Sequence, residues 1–232
     1  MCRGKKICTE LGINAANWSK EAPLMPPGWG DGQLTIFAEA VRLASVGDVV
    51  RARIQLASIR SEDLQTWFIE HGQQSGFFRD RVLHIAKPHS TLPFDPIRSP
   101  DKLATEVFKR DGYRCRYCGS RLVPINVLKA FSKAVGQDAF RATGTNLERH
   151  GIVLAFRANA DHVVPWTLGA RTDMTNLVSA CWSCNFGKSS YTLEQIGVDD
   201  PRDRPIPASD GWDGLMSLLP GLRARAKGKQ NA

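Results

Sequence analysis

Asp161-His162-Val163-Val164-Pro165, then Asn176-Leu177, then Cys181-Trp182-Ser183-Cys184-Asn185-Phe186-Gly187-Lys188 form the stretch that decides how this chain is organised. Its closing C-x-x-C repeats an earlier one, Cys115-Arg116-Tyr117-Cys118, and Cys181 lies 63 positions after Cys118. Four thiolates in two such pairs are the ligand set of a closed tetrahedral zinc site. The gap is longer than in a zinc ribbon, so folded structure must lie between the knuckles and bring them together. Such a staple supplies on the order of 10 kcal/mol of folding free energy. A redox C-x-x-C would need a βαβ setting, which neither pair has. Cys2 and Cys8 are read as part of a frayed terminus rather than as further ligands.

Towards the N-terminus, residues 1–32 are rich in Gly, Pro and Trp and read as an irregular arm. From Gln33, Leu34, Phe37, Val41 and Ala44 recur at helical spacing. Further helical patterns cover 48–59 and the stretch from Ser61, where Ser61-Glu62-Asp63-Leu64 predicts an N-terminal cap. Trp67, Phe68, Phe77 and Phe78 are assigned to the core of this helical unit. Pro88, Pro93, Pro96 and Pro100 exclude a regular helix over 87–100 and predict a semi-rigid linker, so unit and linker together span 33–96. Ser99 and Pro100 begin a helix that runs to Asp111-Gly112, with the glycine as terminator.

Residues 124–148 predict a helix with Val127, Leu128, Phe131 and Val135 on one face. The apolar run 152–156 predicts a strand, as do 161–165 and 176–180, and a helix is expected from Trp182 or Cys184 through Lys188. The chain from 199 onwards is read as an extension with one short helical stretch, 212–219, and a basic tail, Arg223 to Lys229, without fixed structure.

An apolar fraction of 42% and a charged fraction of 23% are ordinary for a globular protein. No run approaches the roughly 20 apolar residues of a membrane span, and no signal-type segment follows the basic start, so a cytoplasmic protein is expected. The net charge of +8 favours a polyanionic partner. It is concentrated: ten Lys or Arg face four Asp or Glu between Arg98 and Arg141, and four more basic residues lie in the last eleven positions.

Taken in order, Arg110-Asp111-Gly112-Tyr113-Arg114-Cys115-x-Tyr117-Cys118-Gly119, Asp161-His162, Asn176-Leu177 and Cys181-x-x-Cys184-Asn185-x-x-Lys188 resemble the HNH endonuclease superfamily in its cysteine-bearing branch. The resemblance implies an α+β fold: a ββα-metal core within 97–198, stapled by a four-cysteine zinc site through Cys115, Cys118, Cys181 and Cys184, and preceded by the helical unit. It implies a DNA endonuclease that uses one Mg²⁺ or Mn²⁺. Asp161 and Asn185 would supply hard oxygen ligands suited to that cation. His162 would be the general base on the attacking water, and Asn176 would orient the loop carrying His162 through backbone hydrogen bonds. Lys188 and Arg171 are expected to contact phosphates of duplex DNA.

Other readings stay open beside these. The zinc module could bind DNA without catalysis, alone or within a larger complex. Asn185 could simply cap its helix, His162 could be a core histidine, Asn176 purely structural and Arg171 a solvated charge. Gly119 to Ala160 is long for the family, and the turn Asn146 to His150 reads as an insertion that meets DNA or a partner. The N-terminal helical unit is a candidate surface for a second copy or a partner subunit, or an inhibitory element. In this branch such domains occur in restriction enzymes, phage nucleases and anti-phage effectors, and fold-level resemblance does not choose among them.

Overall fold

The computed structural model describes residues 20–73, 92–206, 208 and 210–228. Cys2, Cys8, Phe77, Phe78, Lys229, most of the N-terminal arm and the first part of the linker lie outside the described residues. Helices α1 (Gly30–Ser45) and α2 (Val49–Ala57) come first, and α3 (Ser61–Trp67) continues into a π-helical turn over Phe68–Gln73. They are followed by α4 (Asp101–Arg110), α5 (Ile125–Val135) and α6 (Gly151–Phe156). Strands β1 (Ala158–His162) and β2 (Leu177–Cys181) lead into α7 (Trp182–Lys188), α8 (Leu193–Ile196) and α9 (Leu219–Gly228).

The sheet is antiparallel, with Ala158 opposite Cys181 and His162 opposite Leu177. A third rail runs beside β1: the Val123 amide donates to the Phe156 carbonyl, and the Ala158 amide to the Val123 carbonyl, each at 3.0 Å. The first knuckle therefore reaches β1 through Val123. It reaches β2 through the Arg116 amide, which donates to the Ser179 carbonyl at 2.8 Å. These two ties close the 63-residue gap between the cysteine pairs. From the other side, Arg110 grips the Asp111 carboxylate and the carbonyls of Met174 and Leu177, while Asp111 accepts from the Ser179 amide at 2.7 Å.

Two apolar cores result. The larger joins α1, α2 and α3 to α5, α6 and α9, centred on Phe37, Phe131 and Phe140, whose ring centres lie 5.1–5.2 Å apart. The smaller lies under the sheet and includes Tyr117, Val178, Tyr191 and three of the four cysteines. The N-terminal helices thus bury their apolar faces on elements from beyond the proline-rich linker. Trp67 and Phe68 are core residues, packed with Leu154 near Phe186.

Five sequence expectations are corrected. Residues 152–156 belong to a helix, not a strand: the His150 imidazole Nδ1 accepts from the Ile152 amide at 3.3 Å and caps α6, which is buried throughout. A short run apolar on every side carries no periodicity to separate the two states. Ser61 does not cap α3; its hydroxyl accepts from the Gly151 amide at 2.9 Å, while Arg60 occupies the cap position without a side-chain capping bond. The helix expected over 124–148 stops at Val135 because Gly136 turns to φ 99°. The strand expected over 161–165 ends at His162. Pro165 has no amide to give a ladder, and the Asn176 side chain takes both the amide and the carbonyl of Val164. The basic tail is helical through Gly228: Leu219 and Leu222 are buried against the larger core, and the Arg-Ala repeat between them and the end favours helix.

Candidate functional site

The turn from β2 into α7 brings the thiols together. Sγ atoms of Cys115, Cys118, Cys181 and Cys184 all lie within 4.8 Å of one another, and those of Cys118 and Cys181 are 3.7 Å apart. A tetrahedron with zinc–sulfur bonds of about 2.3 Å has edges of about 3.8 Å. The cluster's acidity also suits a cation. Hydrogen bonds from Cys115, Cys181 and Cys184 hold the Cys118 thiol well below the usual range, whereas burial pushes Cys181 and Cys184 well above it. A bound dication lets all four ionise. The four cysteines are placed to hold a metal ion.

Asp161 and His162, neighbours on β1, point to opposite sides of the strand. Asp161 is only 6% exposed, and its carboxyl rises above the usual range chiefly through burial, opposed by the Lys188 ammonium and the Tyr117 hydroxyl. Tyr117 donates to Asp161 Oδ2 at 2.8 Å and Lys188 Nζ lies 3.4 Å from the same oxygen. Both contacts fall on Oδ2, so Oδ1 has no hydrogen-bond partner among the described residues. Tyr117 comes from inside the first knuckle, which couples the thiol cluster to the carboxylate.

His162 Nε2 lies 2.8 Å from the Thr172 hydroxyl, and that hydroxyl donates its one proton to the Ile97 carbonyl. The hydroxyl oxygen must then accept from the imidazole, which fixes the tautomer with hydrogen on Nε2 and a lone pair on Nδ1. Burial lowers the affinity of His162 for a second proton, with the Asp161 charge acting the other way. The ring is therefore neutral at pH 7, as a proton acceptor must be.

Asn176 ties down the chain that leaves His162. Its Oδ1 accepts from the Val164 amide at 2.9 Å, its Nδ2 donates to the carbonyls of Val164 and Arg171, and its carbonyl accepts from Val163. Asn185 lies one turn into α7, with no side-chain hydrogen bond among the described residues. Asp161, His162 and Asn185 all line one cavity of about 460 Å³, whose rim includes Arg98, Trp166 and Thr167. The Thr167 hydroxyl on this wall is buried with no partner. A larger hollow of about 810 Å³ lies over α2 and α3; there Arg53 pairs with Asp138 and Arg60 with Asp63, and it holds none of the expected residues.

Two expected phosphate contacts fare differently. Lys188 is 1% exposed and turns inward, donating to the His162 carbonyl at 2.7 Å. It is a positioning residue beneath Asp161 and His162, and the phosphate contact expected of it is corrected on that ground. Arg171 stands at the surface, with a side chain 82% exposed and 3.8 Å from the Asp173 carboxylate. Tyr117, Thr172 and Thr167 were missed in the sequence. Only Tyr117 carried a signal there, its place between two cysteines of a knuckle.

A short antiparallel sheet running straight into a helix, with an acid–histidine pair on the sheet and a thiol cluster at the corner, defines an α+β metal-site module. Residues 151–190, from α6 through β1 and β2 into the turn after α7, match the family model of the HNH endonuclease. No curated protein and no solved structure matches the chain. Residues 151–190 are thus similar to an HNH endonuclease domain, and the chain also has clustered cysteines and a helical N-terminal region. Domains of this family are generally nucleases that bind metal and nucleic acid. Among the described residues, no helix is long and apolar enough to cross a membrane.

Proposed function

We propose that the protein is a metal-dependent endonuclease that hydrolyses phosphodiester bonds of duplex DNA. The observation that carries this reading is the opening of Asp161, His162 and Asn185 into a single cavity within the HNH match. A pure binding module has no need of a carboxylate, a neutral imidazole and a free amide converging on one space. A structural zinc ion fits Cys115, Cys118, Cys181 and Cys184. Cytoplasmic reducing conditions keep such thiols available.

Asp161 Oδ1 and the Asn185 side-chain oxygen would hold Mg²⁺ or Mn²⁺, hard cations that keep several water ligands and accept few protein oxygens. Such a cation supplies neutralisation of charge on the phosphate and on the leaving oxygen. His162 Nδ1 takes the proton of the attacking water, and the Thr172–Ile97 relay holds the ring so that this lone pair faces the substrate. Lys188 fixes the His162 carbonyl, and Asn176 fixes the two residues that follow it. Arg171 is proposed as a contact to a phosphate outside the cavity.

Purified protein incubated with supercoiled plasmid and Mg²⁺ or Mn²⁺ is expected to nick or linearise it, and EDTA to stop the reaction. Gel retardation without cleavage under either metal would instead establish a silent zinc-bearing DNA binder.

A further inference from the structure

Arg157 immediately precedes β1, and the register that pairs Ala158 with Cys181 sets it opposite Trp182, the first residue of α7. Its guanidinium carbon lies 4.2 Å from the centre of the Trp182 ring, and that of Arg149 lies 5.2 Å from it. Two like charges thus stack on one indole ring. Among the described residues, the Arg149 side chain donates only to the neutral Asn146 Oδ1, at 2.9 Å. Arg157 has no side-chain hydrogen bond or ion pair among the described residues. The Nε atoms of both arginines and Nε1 of Trp182 are buried without a partner.

The other buried or half-buried arginines among the described residues are hydrogen-bonded or paired. Arg110 is spent on Asp111, Arg121 on Asp31, and Arg116 on backbone carbonyls. A half-buried guanidinium without a carboxylate is costly. Burial and the Arg149 charge lower the pKa of Arg157 to about 10, with Asp101 acting the other way. An anion would relieve both, and guanidinium donors match the oxygens of a phosphate.

We propose that Arg149 and Arg157, presented across Trp182, grip a backbone phosphate of the nucleic acid beside the one that enters the cavity. Trp182 and Asn185 lie one turn apart on the same face of α7, a separation of about 5 Å along the axis. The gripped phosphate therefore lies one or two nucleotides from the scissile bond. Backbone contacts carry no base information but set the register of the strand. Arg149 comes from the long segment between the first knuckle and β1, which gives that segment a role in substrate binding. The inference rests on the nuclease reading.

The test measures anisotropy of a short labelled DNA duplex without added Mg²⁺, Mn²⁺ or chelator across a salt series, with wild type, Arg149→Gln, Arg157→Gln and Arg157→Lys. Each Gln variant is expected to bind about tenfold more weakly and to lower the slope of log affinity against log salt by about 0.9, the value for one lost phosphate contact. Arg157→Lys should keep the slope. Thermal melts and zinc content check folding, and Arg149→Gln keeps the test alive if Arg157→Gln folds poorly. Unchanged affinity and slope in both Gln variants, with wild type that binds and cuts, overturns the phosphate grip and leaves the nuclease standing. Weaker binding with an unchanged slope also overturns it. A wild-type protein that neither binds nor cuts DNA overturns both.

Discussion

The Lys188 ammonium lies 3.4 Å from Asp161 Oδ2, and both side chains are buried, at 1% and 8% exposure. The same ammonium holds the His162 carbonyl at 2.7 Å, so one buried cation orients both residues of the acid–histidine pair. Replacing one member of such a pair leaves the other charge stranded, at a cost on the order of 3 kcal/mol. Lys188→Met is expected to lower the urea midpoint accordingly and to reduce cleavage severely while DNA retention persists. Lys188→Met that melts as wild type would show that the pair does not hold the site.

Removing a thiol should act through the metal. Cys115→Ser and Cys184→Ser are each expected to lower bound zinc and thermal stability together, because binding energy at such a site is folding energy. Colorimetric zinc release and calorimetry measure the two quantities. Stability lost with full zinc retention would contradict a four-thiolate site.

The larger core predicts that a chain beginning at Ile97 will not fold. It lacks α1, whose Phe37 packs against both Phe131 and Phe140. The milder change Phe37→Ala should cost about 3–5 kcal/mol. A shortened chain that folds cooperatively by circular dichroism and cuts DNA would show instead that the helical unit is dispensable.

His150 gives a pH dependence. Its Nδ1 must stay unprotonated to accept from the Ile152 amide, and burial lowers its pKa to about 4. The unfolded chain takes that proton near pH 6.5. Above about pH 6.5 the contribution is complete; it is lost as the pH falls towards 4, on the order of 2 kcal/mol in all once partial exposure is allowed for. Wild type and His150→Asn should therefore differ most in urea stability near neutral pH and converge in acid. A difference independent of pH would remove His150 as the cause.

Much of the site was legible because its groups lie in short motifs. Asp161-His162, Asn176 and Asn185 meet at one corner because β1, β2 and α7 follow one another closely. The two C-x-x-C pairs announced a shared site, but the ties that deliver the first pair, Val123 to β1 and Arg116 to β2, are backbone bonds with no residue signature. The direction of Lys188 was equally hidden, since a lysine after a metal-ligand motif has the same spacing whether it faces solvent or core. Residues 152–156 are apolar in every direction, and only the His150 cap and the Ser61–Gly151 contact decide for helix. The basic tail misled because charge marks solvent exposure of one face, and two leucines sufficed to dock the other.

His162 is proposed to activate water over a metal held by Asp161 and Asn185. Plasmid cleavage by His162→Ala, measured beside wild type in Mg²⁺ and Mn²⁺ with zinc content and melting temperature matched, tests it most directly. The expected result is loss of cleavage by about two to four orders of magnitude, the range for a removed general base, with DNA retention and zinc unchanged. Cleavage at the wild-type rate would contradict it.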